Sequence, residues 1–360
     1  MDIEFHYYMT YLIAVRAGFS PQDAAVIAQA AQEIDDNHIP IEVSAGTPYA
    51  FTSTLSQTMD ILHPRHNTKI YPIFHFIPGD PEAPSAKRKD GRKSPWVTTP
   101  NSGLANDMLD TALKSKDLYR IGASAHAYAD TWAHQNFLGV PDNLNDMPFD
   151  PSKGLLENAM DLVNQLKIGH ALAQHLPDIP GLIWNDGRLA EPVAINSARF
   201  LDAANHLFRK LFAYNNGGST GRNVDVEAAA LLADLQADIG PSSQGSVAND
   251  PARIARYKKR ALMPQYGGTA IEDYVLGKWT DAAFIEQRTD LAQQLALYMA
   301  QNVNLIGDVL DFGVRMPCRW KDPPNFRQTS WYKFQNAVNS HLNECWGLLV
   351  KQIPSAAGMA

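Results

Sequence analysis

The stretch IGASAHAYADTWAHQNF, residues 121–137, decides how the chain is interpreted. Within it His126, Asp130 and His134 follow one another at intervals of four residues. On a helix such steps keep side chains on one face, about 6 Å apart along the axis. Imidazole and carboxylate groups are ligands that suit zinc and related ions. We therefore predict a helix over 117–137 that presents three metal ligands in one stripe, among small residues that let another helix approach closely.

Helical periodicity and helix-end signals recur along the chain and predict an all-α fold with long loops. Ser20 and Pro21 mark the start of a second helix, which ends at Asp35-Asp36-Asn37. One short β hairpin near 69–77 is compatible with the segment KIYPIFHFI. The predicted helices cover 3–17, 21–37, 104–115, 117–137, 155–175, 192–214, 225–239, 250–262, 280–313 and 330–352.

The long loop 79–103 carries a run of basic residues, and two interpretations of it remain open. A charge run in such a loop is most often a solvated surface, which is the interpretation we favour. The alternative is a lid that steers an anionic substrate. The basic residues are Lys87, Arg88, Lys89, Arg92 and Lys93.

Composition and charge narrow the class of protein. The 360 residues, 45% hydrophobic and 19% charged, predict one large helical domain over 1–360, with a metal-site half (1–178) and a further helical packing region (185–360). A net charge of −7 argues against nucleic-acid binding by general electrostatics. Cys318 and Cys345 are interpreted as two buried thiols.

The N-terminus MDIEFHYYMTYLIAVRAG has acidic residues and no basic region before its apolar run, so it is a poor signal peptide. The run is also too short to span a bilayer. We expect a cytoplasmic protein without a transmembrane segment, while export by a route without a cleavable signal stays open.

Further ligand candidates are scattered over the first half of the chain, and each alone is more often an ordinary residue. The segment IGHALAQHLPD, residues 168–178, offers His170 and, one turn later, Gln174. His75 lies in FHFIPG, in a strand-like or turn context, and His6 lies near the N-terminus. Asp35 and Asp36 end the second helix.

In this order, the candidates resemble the zinc-dependent phospholipase C and single-strand-specific nuclease superfamily. The shared pattern runs from an N-terminal histidine through a carboxylate, a histidine in an HF-x-x-P context and a helix with H-x-x-x-D, to a Gly-His pair. The matches are His6, Asp35 or Asp36, His75 in HFIP, His126 with Asp130 and His134, and Gly169-His170 with Gln174. They cover residues 1–178 as scattered motifs, as in a divergent bacterial branch.

The resemblance implies a helical bundle that holds two or three zinc ions, although other divalent metals are compatible with the same ligands. His75 and His126 would bind one ion, Asp130 would bridge two, and His134 with His170 would hold another. His6 would serve a third ion, and Asp35 or Asp36 would orient the attacking water. The departures are a Met-Asp start instead of the superfamily's ligating tryptophan, a shorter Asp130–His134 spacing, and the neutral Gln174 in place of an acidic residue.

Such a ligand set implies hydrolysis of a phosphoester, with a phospholipid headgroup or a nucleotide as the substrate. The alternative is a non-catalytic helical binding or scaffold protein with a structural metal. An HD-type phosphohydrolase needs a His-Asp dipeptide and a di-iron protein needs paired Glu-x-x-His motifs; the sequence contains neither. Aromatic residues close to the candidates are interpreted as core packing rather than a pocket wall: Tyr7, Tyr8, Phe74, Phe76, Tyr128, Trp132 and Phe137.

Overall fold

A computed structural model of the chain describes residues 1–57, 64–147, 167–170, 173–217, 221–285 and 316–359. This part of the chain is mostly helical, as predicted. A π-helix, Glu4–Met9, precedes the first α-helix. The α-helices are α1 (Thr10–Arg16), α2 (Pro21–Asp36), α3 (Pro64–Phe74), α4 (Gly103–Ser115), α5 (Leu118–Ala133), α6 (Asn196–Asn216), α7 (Val224–Ile239), α8 (Pro251–Ala261), α9 (Lys278–Ala283) and α10 (Ser330–Gln352).

Helix α5 lies at the centre of the fold, because small residues let its neighbours approach it. A Cβ atom placed on Gly122 would lie 2.4 Å from the carbonyl oxygen of Ile27 and 2.7 Å from the Cβ of Ala30. Only glycine therefore allows α2 to pack this closely. Helices α4, α6 and α10 also pack against α5, and all its residues from Arg120 to Ala133 are buried. The predicted close helix approach is confirmed.

Two helices start where the sequence predicted, because each start has a capping side chain. Ser20 accepts a hydrogen bond from the backbone nitrogen of Asp23 at 3.1 Å, and Pro21 occupies the first turn of α2. Asp117 caps α5 by accepting from the nitrogen of Tyr119 at 3.0 Å. Such caps satisfy backbone donors that the helix itself leaves unpaired. The predicted helix 117–137 nevertheless ends early, at Ala133, and His134 follows as its C-cap.

Short strands join distant parts of the chain, which the all-α prediction did not include. Strand β1 (Ile41–Val43) pairs antiparallel with β2 (Phe51–Thr52) and parallel with β5 (Met316–Cys318). Strands β3 (Ile183–Asn185) and β4 (Val193–Ile195) form an antiparallel hairpin.

The β hairpin proposed near 69–77 was wrong, because this segment belongs to α3 and the turn after it. Ile70, Ile73, Phe74 and Ile77 are all buried, and their spacing of three or four residues is helical. Tyr71 and Pro72 lie between these residues, and the resulting pattern of side chains also fits a strand. Gly139 lets the proline pack closely, since a Cβ there would lie 2.9 Å from the nitrogen of Pro72.

Other predictions have mixed outcomes. The helices expected over 192–214, 225–239, 250–262 and 330–352 are confirmed as α6, α7, α8 and α10. The helices expected over 155–175 and 280–313 lie largely outside the described residues, at 155–166, 171–172 and 286–313. Residues 167–170 are not helical. Cys318 and Cys345 are free, buried thiols, as expected.

One hydrophobic core draws on both halves of the chain, from Phe5 and Ile13 to Phe208 and Val338. The aromatic residues near the ligand candidates are buried, which confirms that they pack in cores. Among the described residues, no helix combines the length and the apolar character needed to cross a membrane.

Candidate metal centre

The predicted stripe on α5 is present and buried. His126, Asp130 and His134 are 0%, 1% and 3% exposed. His126 Nε2 lies 3.2 Å from Asp130 Oδ2, and His134 Nδ1 lies 3.5 Å from the same oxygen. The four-residue spacing therefore brings all three side chains together, with Asp130 in the middle.

His6 reaches the stripe from the N-terminal π-helix. Its Nε2 lies 3.2 Å from Asp130 Oδ1, and its ring stacks on that of His126 with 3.8 Å between centroids. A π-helix is rare and often marks a functional site. Here it directs the fully buried His6 side chain at the carboxylate of α5.

The end of α2 contributes Asp35, and the structure separates it from its neighbour. Asp35 Oδ1 lies 3.6 Å from His126 Nε2 and 3.7 Å from His75 Nδ1. Asp36 instead accepts a hydrogen bond from the Tyr274 hydroxyl at 2.5 Å. Of the two aspartates that the sequence left open, the structure therefore brings Asp35 into the cluster.

His75 lies in the turn directly after α3. Its Nε2 donates to the carbonyl oxygen of Ser56 at 2.9 Å, which leaves Nδ1 without a proton. Nδ1 lies 3.2 Å from His126 Nε2 and 3.5 Å from Asp130 Oδ2. We call His6, Asp35, His75, His126 and Asp130 the first ligand group.

A second ligand group consists of His134, His170 and Asp178, whose possible ligand atoms lie within 4.8 Å of one another. Asp178 Oδ1 lies 3.0 Å from His134 Nε2, and Asp178 Oδ2 lies 3.5 Å from His170 Nε2. Asp178 ends a 3₁₀-helix, Leu176–Asp178. The sequence analysis missed it, although it follows His170 in the same quoted segment.

The geometry of this segment argues against the prediction that Gln174 is a metal ligand. Gln174 is exposed and has a φ of 52°, so it does not lie one helical turn beyond His170. Its backbone carbonyl accepts a hydrogen bond from His170 Nδ1 at 2.8 Å. Asp178, and not Gln174, is therefore the side chain that lies beside His134 and His170. His175, which the sequence analysis did not count as a ligand, is exposed.

Hydrogen bonds to backbone carbonyls fix the orientation of the histidines in the second group. His134 Nδ1 donates to the carbonyl of His75 at 2.7 Å, and His170 Nδ1 donates to that of Gln174. In neutral imidazole the other nitrogen then carries a lone pair. Both Nε2 atoms face the carboxylate of Asp178, so three possible ligand atoms converge. This arrangement is typical of metal-binding histidines, which donate their second N–H to a carbonyl or carboxylate.

Unsatisfied polar atoms supply an independent test of the fit to a cation. Within the described residues, both ring nitrogens of His6, Nδ1 of His126 and Oδ2 of Asp130 are buried and make no hydrogen bond of good geometry. Buried polar atoms are almost always hydrogen-bonded or bound to an ion. The donor set of imidazole and carboxylate therefore fits zinc or a similar divalent ion.

The charges of the cluster are strongly coupled. Burial opposes ionisation of the Met1 amino group, but Asp130, Asp178 and Asp35 outweigh it and raise its pKa to about 11. The amino nitrogen lies 2.5 Å from Asp130 Oδ1 and 3.1 Å from Asp178 Oδ1, between the two ligand groups.

The pKa values of the buried histidines do not all shift in the same direction. Burial lowers the pKa of His170 to about 4 and also lowers the pKa of His75. Burial also opposes the charge of His126, yet Asp130 and Asp35 raise its pKa. A neutral His170 offers its lone pair near pH 7, whereas the carboxylates beside His126 favour its protonated form. Binding of a divalent cation would release such protons.

Aromatic side chains enclose the second group. Phe76 stacks on His134 with ring centroids 4.6 Å apart, and Phe137 contacts His170 edge-on at 5.8 Å. These rings belong to a smaller hydrophobic cluster that also contains Trp184 and Ala194 of the β3–β4 hairpin. The hairpin therefore shares a hydrophobic cluster with the aromatic rings that contact these histidines.

The basic loop contains several internal ion pairs. Lys93 pairs with Glu82 at 2.5 Å and Arg92 pairs with Asp90 at 2.9 Å. The side chain of Arg88 is only 5% exposed and donates to the carbonyl of Leu144 at 3.0 Å. The lid interpretation stays a prediction.

The fold and the site define a mostly helical protein with a buried histidine and aspartate cluster whose geometry is compatible with divalent cations. The chain belongs to DUF6765, a family of unknown function, whose family model matches residues 1–349. No curated protein and no solved structure matches the chain.

Proposed function

We propose that the protein is a metal-dependent hydrolase that acts on a phosphoester through a centre of two or three divalent ions, with zinc as the resident ion. One observation carries the proposal: five histidines and three aspartates from separate segments form two adjoining ligand groups whose possible ligand atoms lie close together. His6, His75, His126 and Asp130 would hold ions in the first group. His134, His170 and Asp178 would hold one in the second.

The order of the ligands along the chain supports a relationship to the zinc-dependent phospholipase C and nuclease superfamily. Asp130 lies in contact with His6, His75, His126 and His134, as expected for a carboxylate that bridges ions. We infer a related helical bundle, and a lipid headgroup or a nucleotide as the substrate class.

Bound divalent ions would lower the pKa of a coordinated water and neutralise charge on the phosphoester oxygens. The protein contributes a proton acceptor, and Asp35 fits this role because its side chain is 28% exposed at the edge of a buried cluster. Burial raises the pKa of Asp35, against the opposing effect of His126 and His75, and a raised pKa makes a carboxylate a stronger base.

Comparison of Asp35→Asn with Asp36→Asn tests the proposal. The zinc-loaded wild type should hydrolyse bis(4-nitrophenyl) phosphate and lose this activity in excess chelator. Asp35→Asn should lower turnover about 100-fold or more. Asp36→Asn is the matched control, since that side chain binds Tyr274 outside the cluster, and it should retain most of the activity.

The metal content of the purified wild type distinguishes a hydrolase from a binding or scaffold protein. Two or more equivalents of zinc together with turnover support the hydrolase. One tightly held ion without turnover would instead indicate a binding or scaffold protein with a structural metal, and a chain that binds no ion would exclude both.

A further inference from the structure

A buried ion pair joins the N-terminal π-helix to α8, far beyond the ligand candidates in the sequence. Arg253 Nε donates to Glu4 Oε2 at 2.7 Å, and Nη2 donates to Glu4 Oε1 at 2.8 Å. The two side chains are only 5% and 0% exposed. Glu4 precedes His6 by two residues, so the pair holds the helical segment that presents this histidine.

The guanidinium of Arg253 is itself fixed by several acceptors. Nη1 donates to Ser246 Oγ at 2.9 Å, and Nη2 also donates to the carbonyl of Val247. The backbone nitrogen of Asp250 adds a hydrogen bond to Glu4 Oε1 at 3.1 Å. Because so many hydrogen bonds hold both side chains, the bidentate Arg253–Glu4 pair is fixed in one arrangement. It is therefore suited to holding Glu4 in position.

The same part of the chain also contacts segments next to the second ligand group. The nitrogen of Asn249 donates to Asp2 Oδ2 at 3.4 Å, and the nitrogen of Asp2 donates to the carbonyl of Asp178 at 3.1 Å. The nitrogen of Ser243 donates to the carbonyl of Gly181 at 2.9 Å. Residues 243–253 therefore bind both backbone segments that carry His6 and Asp178.

The π-helix itself needs such support, because its wide turns pack less favourably than those of an α-helix. It is six residues long, and side chains flanking it bond its backbone at both ends: Asp2 Oδ1 accepts from the Glu4 nitrogen at 3.1 Å, and Thr10 Oγ1 donates to the Phe5 carbonyl at 2.9 Å. Relaxation to α-helical winding would change the direction of His6 relative to Asp130.

We propose that Arg253 is a positioning residue for the metal centre, and that through Glu4 it holds the π-helix in the winding that directs His6 at Asp130. This inference rests on the proposed function for the identity of the ligand, a divalent ion. It assigns a role in that site to the second half of the chain.

Zinc affinity of Arg253→Met and Glu4→Gln, measured by competition with a chromophoric chelator, tests the proposal. Loss of a residue that orients a ligand typically weakens metal binding about 10- to 100-fold, and we expect this range for both variants. The double variant should bind no more weakly than the weaker single variant, since the two residues act as one unit. Glu4→Gln keeps the side-chain shape and tests the same pair if Arg253→Met does not fold.

Arg260→Met is the matched control. Arg260 lies on the same helix and makes a similar paired contact, with both donors 2.9 Å from the carboxylate oxygens of Asp238. Because this pair links α8 to α7 and not to the π-helix, zinc affinity should change less than about two-fold. Equal weakening in Arg260→Met and Arg253→Met would overturn the positioning role.

Labelling of the ion-free protein with diethylpyrocarbonate, read by mass spectrometry, gives a measurement that does not depend on zinc. His6 and His341 are both 0% exposed, so both should be protected in the wild type. In Arg253→Met, His6 should become reactive while His341 stays protected. Protection of His6, or joint exposure of both histidines, would contradict positioning. If the wild type binds no zinc, the proposed function fails, and the labelling still decides whether Arg253 holds His6.

Discussion

At the scale of single residues, Asp130 is the group on which the two halves of the site converge. Its oxygens lie within 3.5 Å of four histidines and of the Met1 amino group. Although burial acts in the opposite direction, His134, the Met1 amino group and His126 hold the pKa of Asp130 well below its usual range. Asp130 therefore stays ionised and can contact more than one cation.

Replacing Asp130 by asparagine should therefore remove more than one equivalent of metal. Asparagine keeps the shape of the side chain but loses the charge and one acceptor, so the fold should persist in circular dichroism. Metal content is measured by mass spectrometry of the dialysed protein. Loss of one equivalent or none would show that Asp130 does not bridge ions.

Asp202→Asn is the matched control for this measurement. Asp202 also contacts α5, by accepting from Trp132 Nε1 at 2.6 Å, but it lies outside both ligand groups. His206→Ala extends the control to a histidine that pairs with Asp202. Metal content should be unchanged in both variants.

Three ligand candidates could be found from local spacing alone, whereas His6, Asp35, His75 and His170 were candidates only through their order along the chain. His126, Asp130 and His134 lie on one helix, where a four-residue step fixes their direction. Asp178 could not be found in this way, because its position depends on a 3₁₀-helix and on a left-handed backbone at Gln174. Such turns are set by tertiary contacts rather than by periodicity.

At the scale of secondary structure, the contact between α2 and α5 determines the geometry of the first ligand group. The helices approach closely at Gly122, and farther along the same pair Asp35 meets His126 at 3.6 Å. A small change in the distance between α2 and α5 would therefore shift Asp35 relative to His126.

Gly122→Ala should both destabilise the protein and weaken metal binding. The added methyl group would lie 2.4 Å from the carbonyl oxygen of Ile27, and overpacking of this kind typically costs about 1–3 kcal/mol. Urea unfolding gives the free energy of unfolding, and chelator competition gives the metal affinity.

Gly347→Ala is the corresponding control, since Gly347 lies within α10 and a Cβ there meets no atom within 4 Å. It should be neutral or should stabilise the protein by up to about 1 kcal/mol, because alanine favours helix more than glycine does. Equal effects of the two substitutions would mean that helix separation does not control the site.

The elements themselves were predicted where their own sequence signals were unambiguous. Ser20 and Pro21 locate the start of α2, whereas Ile70, Ile73 and Phe74 fit both a helix and a strand over a short segment. The pairing of β1 with β5 joins residues far apart in sequence. No local pattern encodes such pairing, so the three-stranded sheet was beyond sequence analysis.

At the scale of the whole molecule, stability should fall in acid partly because of His341, which is outside the site. Burial lowers the pKa of His341 from 6.5 to about 3, with a further contribution from Arg120. Below pH 6.5 the unfolded chain therefore binds a proton that the folded chain does not, and the free energy of unfolding decreases as the pH falls.

Wild type should lose about 2 kcal/mol more stability than His341→Gln between pH 7 and pH 5, by the linkage of one proton. Urea unfolding in the presence of chelator measures this difference without a contribution from bound metal. Equal losses in the two proteins would show that His341 is protonated normally in the folded state.

Helix α10 also supports the segment that orients His75. The side chain of Gln335 donates to Asn37 Oδ1 at 2.8 Å, and its oxygen accepts from the backbone nitrogen of Thr54 at 2.8 Å. Asn37 in turn donates to Ser56 Oγ at 3.0 Å, and the Ser56 carbonyl is the acceptor for His75. During synthesis this support is missing until residue 335 has left the ribosome, although His75 and His126 emerge much earlier. Under the proposed function, we expect the nascent chain to acquire ions only after residue 335 has emerged, which would leave its histidines open to competing metals until then.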